Sequence, residues 1–223
     1  MRKPFCFLLA VLLGACTVEE KVLPDGSYLS SRLIDTYKSM SDLRLVFDTS
    51  SASLSVYDQG DQWIYGSEKD ELSRKYDDTH YQRMLSPGTY ASFANAFSAI
   101  TVTSDTEFDG IAPGEDLGSR IRIVAVSPYK WLRSKGTETC AWTPLSDDFV
   151  SLYSKEERAD FLRPENHPVN EWLTSLAPED LLLLNVGSIR LLFTVTPSVR
   201  THALTVTFSE GERRFSATVD VVF

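Results

Sequence analysis

The sequence predicts a mainly β protein, an antiparallel β-sandwich of immunoglobulin-like or related type with a few short helices. Three observations carry this expectation. Residues 189–196, 202–208 and 214–222 each alternate β-branched or aromatic residues with polar ones, and short turns join them into a C-terminal three-strand meander. Earlier stretches alternate with the same period of two, separated by Asp- and Gly-rich breaks. Helix signals are few, and runs of strands joined by short turns favour packed antiparallel sheets over a parallel one.

In chain order, the first segment precedes any fold. Arg2 and Lys3 open the chain, residues 5–13 are apolar, and Leu13-Gly14-Ala15-Cys16 follows. A bilayer-spanning helix needs about 20 apolar residues, and this run stops well short. A basic start, a short apolar core and small residues ahead of a cut describe an export signal. Leu-Gly-Ala-Cys resembles the lipobox of bacterial lipoproteins. That resemblance implies a diacylglyceryl thioether on Cys16, cleavage after Ala15 and acylation of the new amine. Several acyl chains, at about 0.8 kcal/mol per buried methylene, hold a domain firmly at a membrane. The chain then divides into a signal at 1–15, a lipidated cysteine and tether at 16–27, and a single β-rich domain at 28–223. Glu19 and Glu20 resemble the surface-export signal of Bacteroidetes-type lipoproteins, although a solvated linker explains them equally. Thr17 stands where an aspartate, in enteric lipoproteins, means inner-membrane retention. The outer membrane is therefore the expected location, on its periplasmic or surface face.

Charge narrows the partners. The precursor carries 22 basic and 31 acidic residues, a net charge of −9. Loss of Arg2 and Lys3 with the signal leaves 20 basic against 31 acidic residues, or −11. An acidic surface without a basic stripe argues against nucleic acid and against anionic lipid. Removal of Cys6 and lipidation of Cys16 leave Cys140 as the one thiol, so no disulfide forms within a chain. No His or basic residue adjoins Cys140, which favours a buried structural cysteine over a reactive one.

Within the domain, residues 28–40 fit helical spacing only loosely. Residues 43–48 alternate, with Leu43, Leu45 and Phe47 on one side, as a half-buried strand requires. Residues 53–57 and 62–65 are further strands, and residues 58–61 read as a hairpin turn between them. Residues 67–81 are heavily charged, giving a loop or a marginal solvated helix. Residues 97–103 and 120–126 are strands. Ser154-Lys-Glu-Glu157 fits a capping box, and Pro164 stops the helix that follows. Residues 170–176 suggest a short turn of helix, and residues 209–212 turn the last hairpin.

Residues 100–109, with Pro113-Gly114 and Leu117, resemble a segment of an uncharacterised Bacteroides-type lipoprotein family. Its members combine a lipobox, a strand, an Asp/Phe/Pro/Gly loop and a closing hairpin. The likeness would span most of 28–223. It implies an exported β-rich domain and no particular activity or functional residue.

Two candidate sites emerge. Asp105, Glu107, Asp109 and Asp116 occupy positions 1, 3, 5 and 12 of a loop with Gly110 at position 6, the spacing of a calcium loop. Asp at position 12 resembles the dockerin-type variant. Against it, Pro113 replaces a ligand and a strand leads in, and turn chemistry explains the same residues. The second candidate is aromatic. Tyr129, Trp131 and Trp142 flank Arg133-Ser-Lys-Gly136 and offer rings for a sugar face or a protein, as ordinary core and rim residues also would. His80, His167 and His202 lie far apart, and no nucleophile elbow, phosphate loop or paired-cysteine motif occurs. Three functions stay open: a non-enzymatic module binding glycan or protein, an assembly subunit pairing through an edge strand, and a hydrolase built from scattered carboxylates.

Overall fold

The computed structural model describes residues 21–22, 28–79, 83–85, 91–140 and 151–223, with backbone alone at 21–22, 28–30 and 83–85. In chain order the strands are β1 (Lys21–Val22), β2 (Tyr28–Ser30), β3 (Thr36–Lys38), β4 (Leu43–Asp48), β5 (Ser53–Asp58), β6 (Trp63–Ile64) and β7 (Arg83–Leu85). They continue as β8 (Ala91–Phe93), β9 (Ala99–Ser104), β10 (Ile121–Ser127), β11 (His167–Trp172), β12 (Arg190–Phe193), β13 (Thr201–Glu210) and β14 (Arg213–Val222). The helices are α1 (Gly66–Lys75), α2 (Tyr129–Arg133) and α3 (Lys155–Phe161). Among the described residues no helix is long and apolar enough to cross a membrane.

Two sheets form the sandwich. One has the order β11-β10-β12-β5-β4, the other β14-β13-β9, and every pair in both is antiparallel. Period-two alternation aims one face of each strand inward. Leu43, Leu45 and Phe47 of β4 turn to the core while Arg44, Val46 and Asp48 face out. From the opposite sheet Ile100 and Val102 of β9, with Leu204, Val206 and Phe208 of β13, meet Leu54, Val56, Ile121, Ile123 and Leu191. Each such side chain contributes about 1.5–3 kcal/mol on burial. Strand β10 is covered on both faces, because Val124 and Val126 pack outward under Tyr153, Phe161 and Leu162. The fold class is therefore the β-sandwich that the alternation predicts, with few short helices.

A small sheet, β6-β3-β8, contains a parallel pair, β3 with β8. It packs with α1 and α2 around a second core of Leu33, Ile34, Tyr37, Ile64, Tyr76, Trp131, Leu132 and Leu183. The capping box is present at α3: Ser154 Oγ accepts from the Glu157 amide and the Glu157 carboxylate accepts from the Ser154 amide.

Three local expectations are corrected. The meander contains only β13 and β14, because β12 pairs with β10 and β5 while β13 takes β9. Residues 194–200, with Pro197, carry the chain from one sheet to the other instead of turning a hairpin. Residues 58–61 are not a hairpin turn either, since β6 pairs with β3. The Asp58 carboxylate instead accepts the Ser41 and Asp42 amides at 2.9 and 2.7 Å, and the Gln59 amide bonds Asp42, tying the end of β5 to the start of β4. Residues 170–176 are the end of β11 and a 3-10 turn, Leu173–Ser175. Of the two readings of the charged stretch at 67–81, loop or solvated helix, the helix forms, as α1, anchored by Leu72 and buried Ser73.

Candidate functional site

The acidic loop is built into the edge of a sheet. Asp116 Oδ1 accepts the amides of Val102 at 3.1 Å and Gly118 at 3.3 Å, while the Leu117 and Gly114 amides bond the carbonyls of Val102 and Ser104. The loop thus covers the outer edge of β9, which would otherwise expose unpaired backbone groups. Asp105 Oδ1 accepts the Ala203 amide at 2.8 Å, and Asp109 takes Arg120 Nε at 2.7 Å. Glu107 is exposed, and fully buried Phe108 pins the loop to the core. Asp105, Asp109 and Asp116 serve separate backbone and side-chain partners. Among the described residues no three His, Cys, Asp or Glu side chains are grouped so as to hold a metal ion.

The aromatic candidates divide. Trp131 is 8% exposed and belongs to the second core, where a Cβ on Gly136 would meet its ring at 3.1 Å. It offers no free face for stacking, contrary to the expected platform. Tyr129 is half-buried, and Trp142 lies outside the described residues, as do Cys16 and His80.

The two described histidines bond backbone carbonyls. His202 is buried, and its Nε2 donates to the Val199 carbonyl at 2.7 Å. Nδ1 therefore accepts in the neutral ring, and the hydroxyls of Ser104 and Thr106 both lie 2.8 Å away. His167 Nε2 contacts the Glu138 carbonyl at 3.0 Å. Cys140 is half-buried rather than buried, and burial pushes its thiol up, away from reactivity.

A cleft that no motif announced lies where α1 and α2 end. Both helices close with the same device. After α1, the Asp77 and Asp78 amides bond the carbonyls of Arg74 and Ser73; after α2, the Lys135 and Gly136 amides bond those of Leu132 and Trp131. These are Schellman closures, whose turning residue adopts left-handed backbone and is usually glycine. Here it is Asp77, with φ +59°, and Lys135, with φ +54°. Asp78 then hooks back, its carboxylate accepting the Leu33 amide at 2.6 Å and the Ile34 amide at 3.0 Å. The ends of the two helices are fixed against the second core in this way.

The resulting hollow, of about 430 Å³, is lined by Lys75, Tyr76, Asp77, Ala96, Tyr129, Leu132, Arg133, Lys135 and Leu182. The Tyr76 and Tyr129 rings meet edge to face at 6.3 Å, and Lys75 Nζ sits 4.9 Å from the Tyr76 ring centre. A second hollow, of about 400 Å³, shares Tyr129 and Arg133 and adds Lys130, Ser134, Glu138 and Glu179. Lys75, Lys130, Arg133 and Lys135 are all exposed, and none joins an ion pair among the described residues.

No family model, curated protein or solved structure matches the chain.

The functional reading therefore rests on the cleft's own chemistry. A third groove, of about 480 Å³, lies between α1 and the β13–β14 turn and mixes Glu68, Glu71 and Glu210 with Lys75 and Arg213. Glu210 is engaged there by Asn95 Nδ2 and the Ala96 amide, each at 2.8 Å. The α1–α2 cleft shares Lys75 with that groove and differs in having Arg133 and Lys135, neither of which joins an ion pair among the described residues. Arg133-Ser-Lys-Gly136 and Tyr129 were visible in the sequence as a loop beside an aromatic. Lys75 and Tyr76 were not, because only tertiary folding brings them alongside.

Proposed function

We propose that the protein is an outer-membrane lipoprotein, held by lipid on Cys16 at the periplasmic or surface face, whose domain binds a glycan or protein ligand without catalysis. The anchor rests on Leu13-Gly14-Ala15-Cys16 behind a basic start and a short apolar run. Recognition rests on one observation, the cleft of about 430 Å³ in which Tyr76 and Tyr129 stand beside Lys75, Arg133 and Lys135. Ligand sites of roughly 300–1,000 Å³ combine such apolar walls with a few polar groups. Four acids have structural tasks: buried Asp58 and Asp78 tie loops, partly buried Glu157 caps a helix, and exposed Asp116 covers an edge.

Two measurements test this reading. Metabolic labelling with an alkyne fatty acid should mark the wild-type chain in its bacterial host. Cys16→Ser should abolish the label and release the protein from membranes. For binding, the lipidated chain in detergent is probed against arrayed glycans and envelope proteins, beside Arg133→Ala. A ligand retained by the wild type and lost by the variant supports the module. Equal retention by both, or none by either, overturns it.

A further inference from the structure

We propose that the α1–α2 cleft binds an acidic glycan, with carboxylate or sulfate groups held by Arg133, Lys75 and Lys135 and a sugar face against Tyr129. The inference rests on the binding-module reading and names its ligand class. Three exposed cations line one hollow with a single acid, Asp77, among them, in a chain of net charge −9. Cations that share one hollow repel one another, and an anion placed among them removes that repulsion. The planar guanidinium of Arg133 presents paired donors that match a carboxylate or sulfate, while the lysines act as point charges at the sides.

Two features point to a sugar chain over a small ion or a dense polyanion. The adjoining hollow shares Tyr129 and Arg133, so one elongated ligand can occupy about 430 and about 400 Å³ in sequence. That second hollow has Glu138 and Glu179 in its lining as well as Lys130 and Arg133. Carboxylates accept hydrogen bonds from sugar hydroxyls, whereas a closely spaced phosphate chain would be repelled there. Lys135 supplies an independent argument. It holds left-handed backbone at a helix-closing position where glycine fits without strain, so its side chain is retained at a cost in stability.

The test is calorimetry on the full-length chain with oligogalacturonate, a chondroitin sulfate oligosaccharide, a neutral dextran oligosaccharide and inorganic pyrophosphate. At least one acidic glycan should bind, more weakly as salt rises, and dextran should not. Arg133→Ala should lose on the order of tenfold in affinity or more. Lys135→Gly should lose severalfold while raising Tm by roughly 2–4 °C, because the strain is relieved. This second variant separates a binding role from a folding role. Lys135→Gly that gains stability and keeps full affinity overturns the proposal. So does dextran binding as tightly as the acidic glycans, an outcome that leaves the binding module standing. Pyrophosphate alone binding would reduce the cleft to a simple anion site and also sink it. Absence of binding by either acidic glycan overturns it as well, and the array result above then decides the broader reading separately.

Discussion

Glu157 shows how one side chain serves two structures. Its Oε2 caps α3 through the Ser154 amide at 2.8 Å, and its Oε1 takes Arg190 Nη2 at 2.6 Å. Arg190 is 4% exposed, bonds the Gly187 and Ile189 carbonyls, and lies near the Tyr57 and Tyr153 rings at 5.8 and 5.3 Å. Removing the partner of a buried charge costs more than the pair contributes, since the remaining ion stays desolvated. Glu157→Ala should therefore cost about 2–4 kcal/mol in urea unfolding, and Glu157→Gln less, because an amide oxygen can still cap. Asp78 gives a second residue-scale prediction. Burial lifts its carboxyl to about 6, although the Leu33 and Ile34 amides and the charges of Arg32 and Lys69 pull the other way. An unfolded aspartate titrates near ~3.9. Between those values the folded chain binds more protons than the unfolded one, so stability should fall as pH rises from about 4 to about 6. Asp58 has the opposite sign. Burial raises it, but the Ser41 and Asp42 amides and Lys38 more than offset this and hold it low. Its contribution is present above the unfolded value and lost as pH falls below it, outside the Asp78 window. Asp78→Asn should flatten the wild-type slope between pH 4.5 and 6.5, and an unchanged slope would show that another group titrates.

Among elements, legibility in the sequence tracked how local the determinant was. β4, β9, β13 and β14 were readable because their alternation extends over six or more residues, and β10 because Ile121 and Ile123 alternate with arginines before an apolar run. α3 was readable because its cap lies within four residues, Ser154 to Glu157. β3 and β8 are three residues long and owe their form to partners distant in sequence, so no periodicity could reveal them, whereas β6 falls within the strand expected at 62–65 but pairs with β3. The partner of β12 was misread for a related reason: alternation defines a strand and its buried face, not its neighbour. The acidic loop was correctly picked out as unusual, yet its Asp116 is explained by the edge it covers. Asp116→Ala should expose the Val102 amide and destabilise the domain by about 1–2 kcal/mol. Hydrogen exchange at Val102 should accelerate beyond that at Val206 on the inner strand, and Asp116→Asn should restore most of the protection. Equal acceleration at both sites would mean that the loss is global.

At the scale of the molecule, the decisive question is whether its two cores unfold together. The main core is closed at one end by aromatic rings drawn from both sheets. Phe223 stands 5.0 Å from Phe47, 5.5 Å from Phe108 and 5.1 Å from Phe193, with His202 at 5.7 Å. Val221 and Phe223 therefore have a packing role within the domain, while Val222 between them faces out. The second core is joined to the first through adjacent residues, Leu183 facing one and Leu184 the other, and through β8, where Phe93 packs in the main core beside Ala94 in the second. Such a short, buried junction should transmit loss of packing without an intermediate. Phe223→Ala, at a partly buried position, should cost about 2–4 kcal/mol. If the domain is one cooperative unit, 19F-labelled Trp131 in the second core and Trp172 at the sandwich edge should report the same lowered denaturant midpoint. A midpoint that moves for Trp172 while Trp131 stays fixed would divide the domain into two independently stable parts. The ligand cleft, built on the second core, would then survive damage to the sandwich.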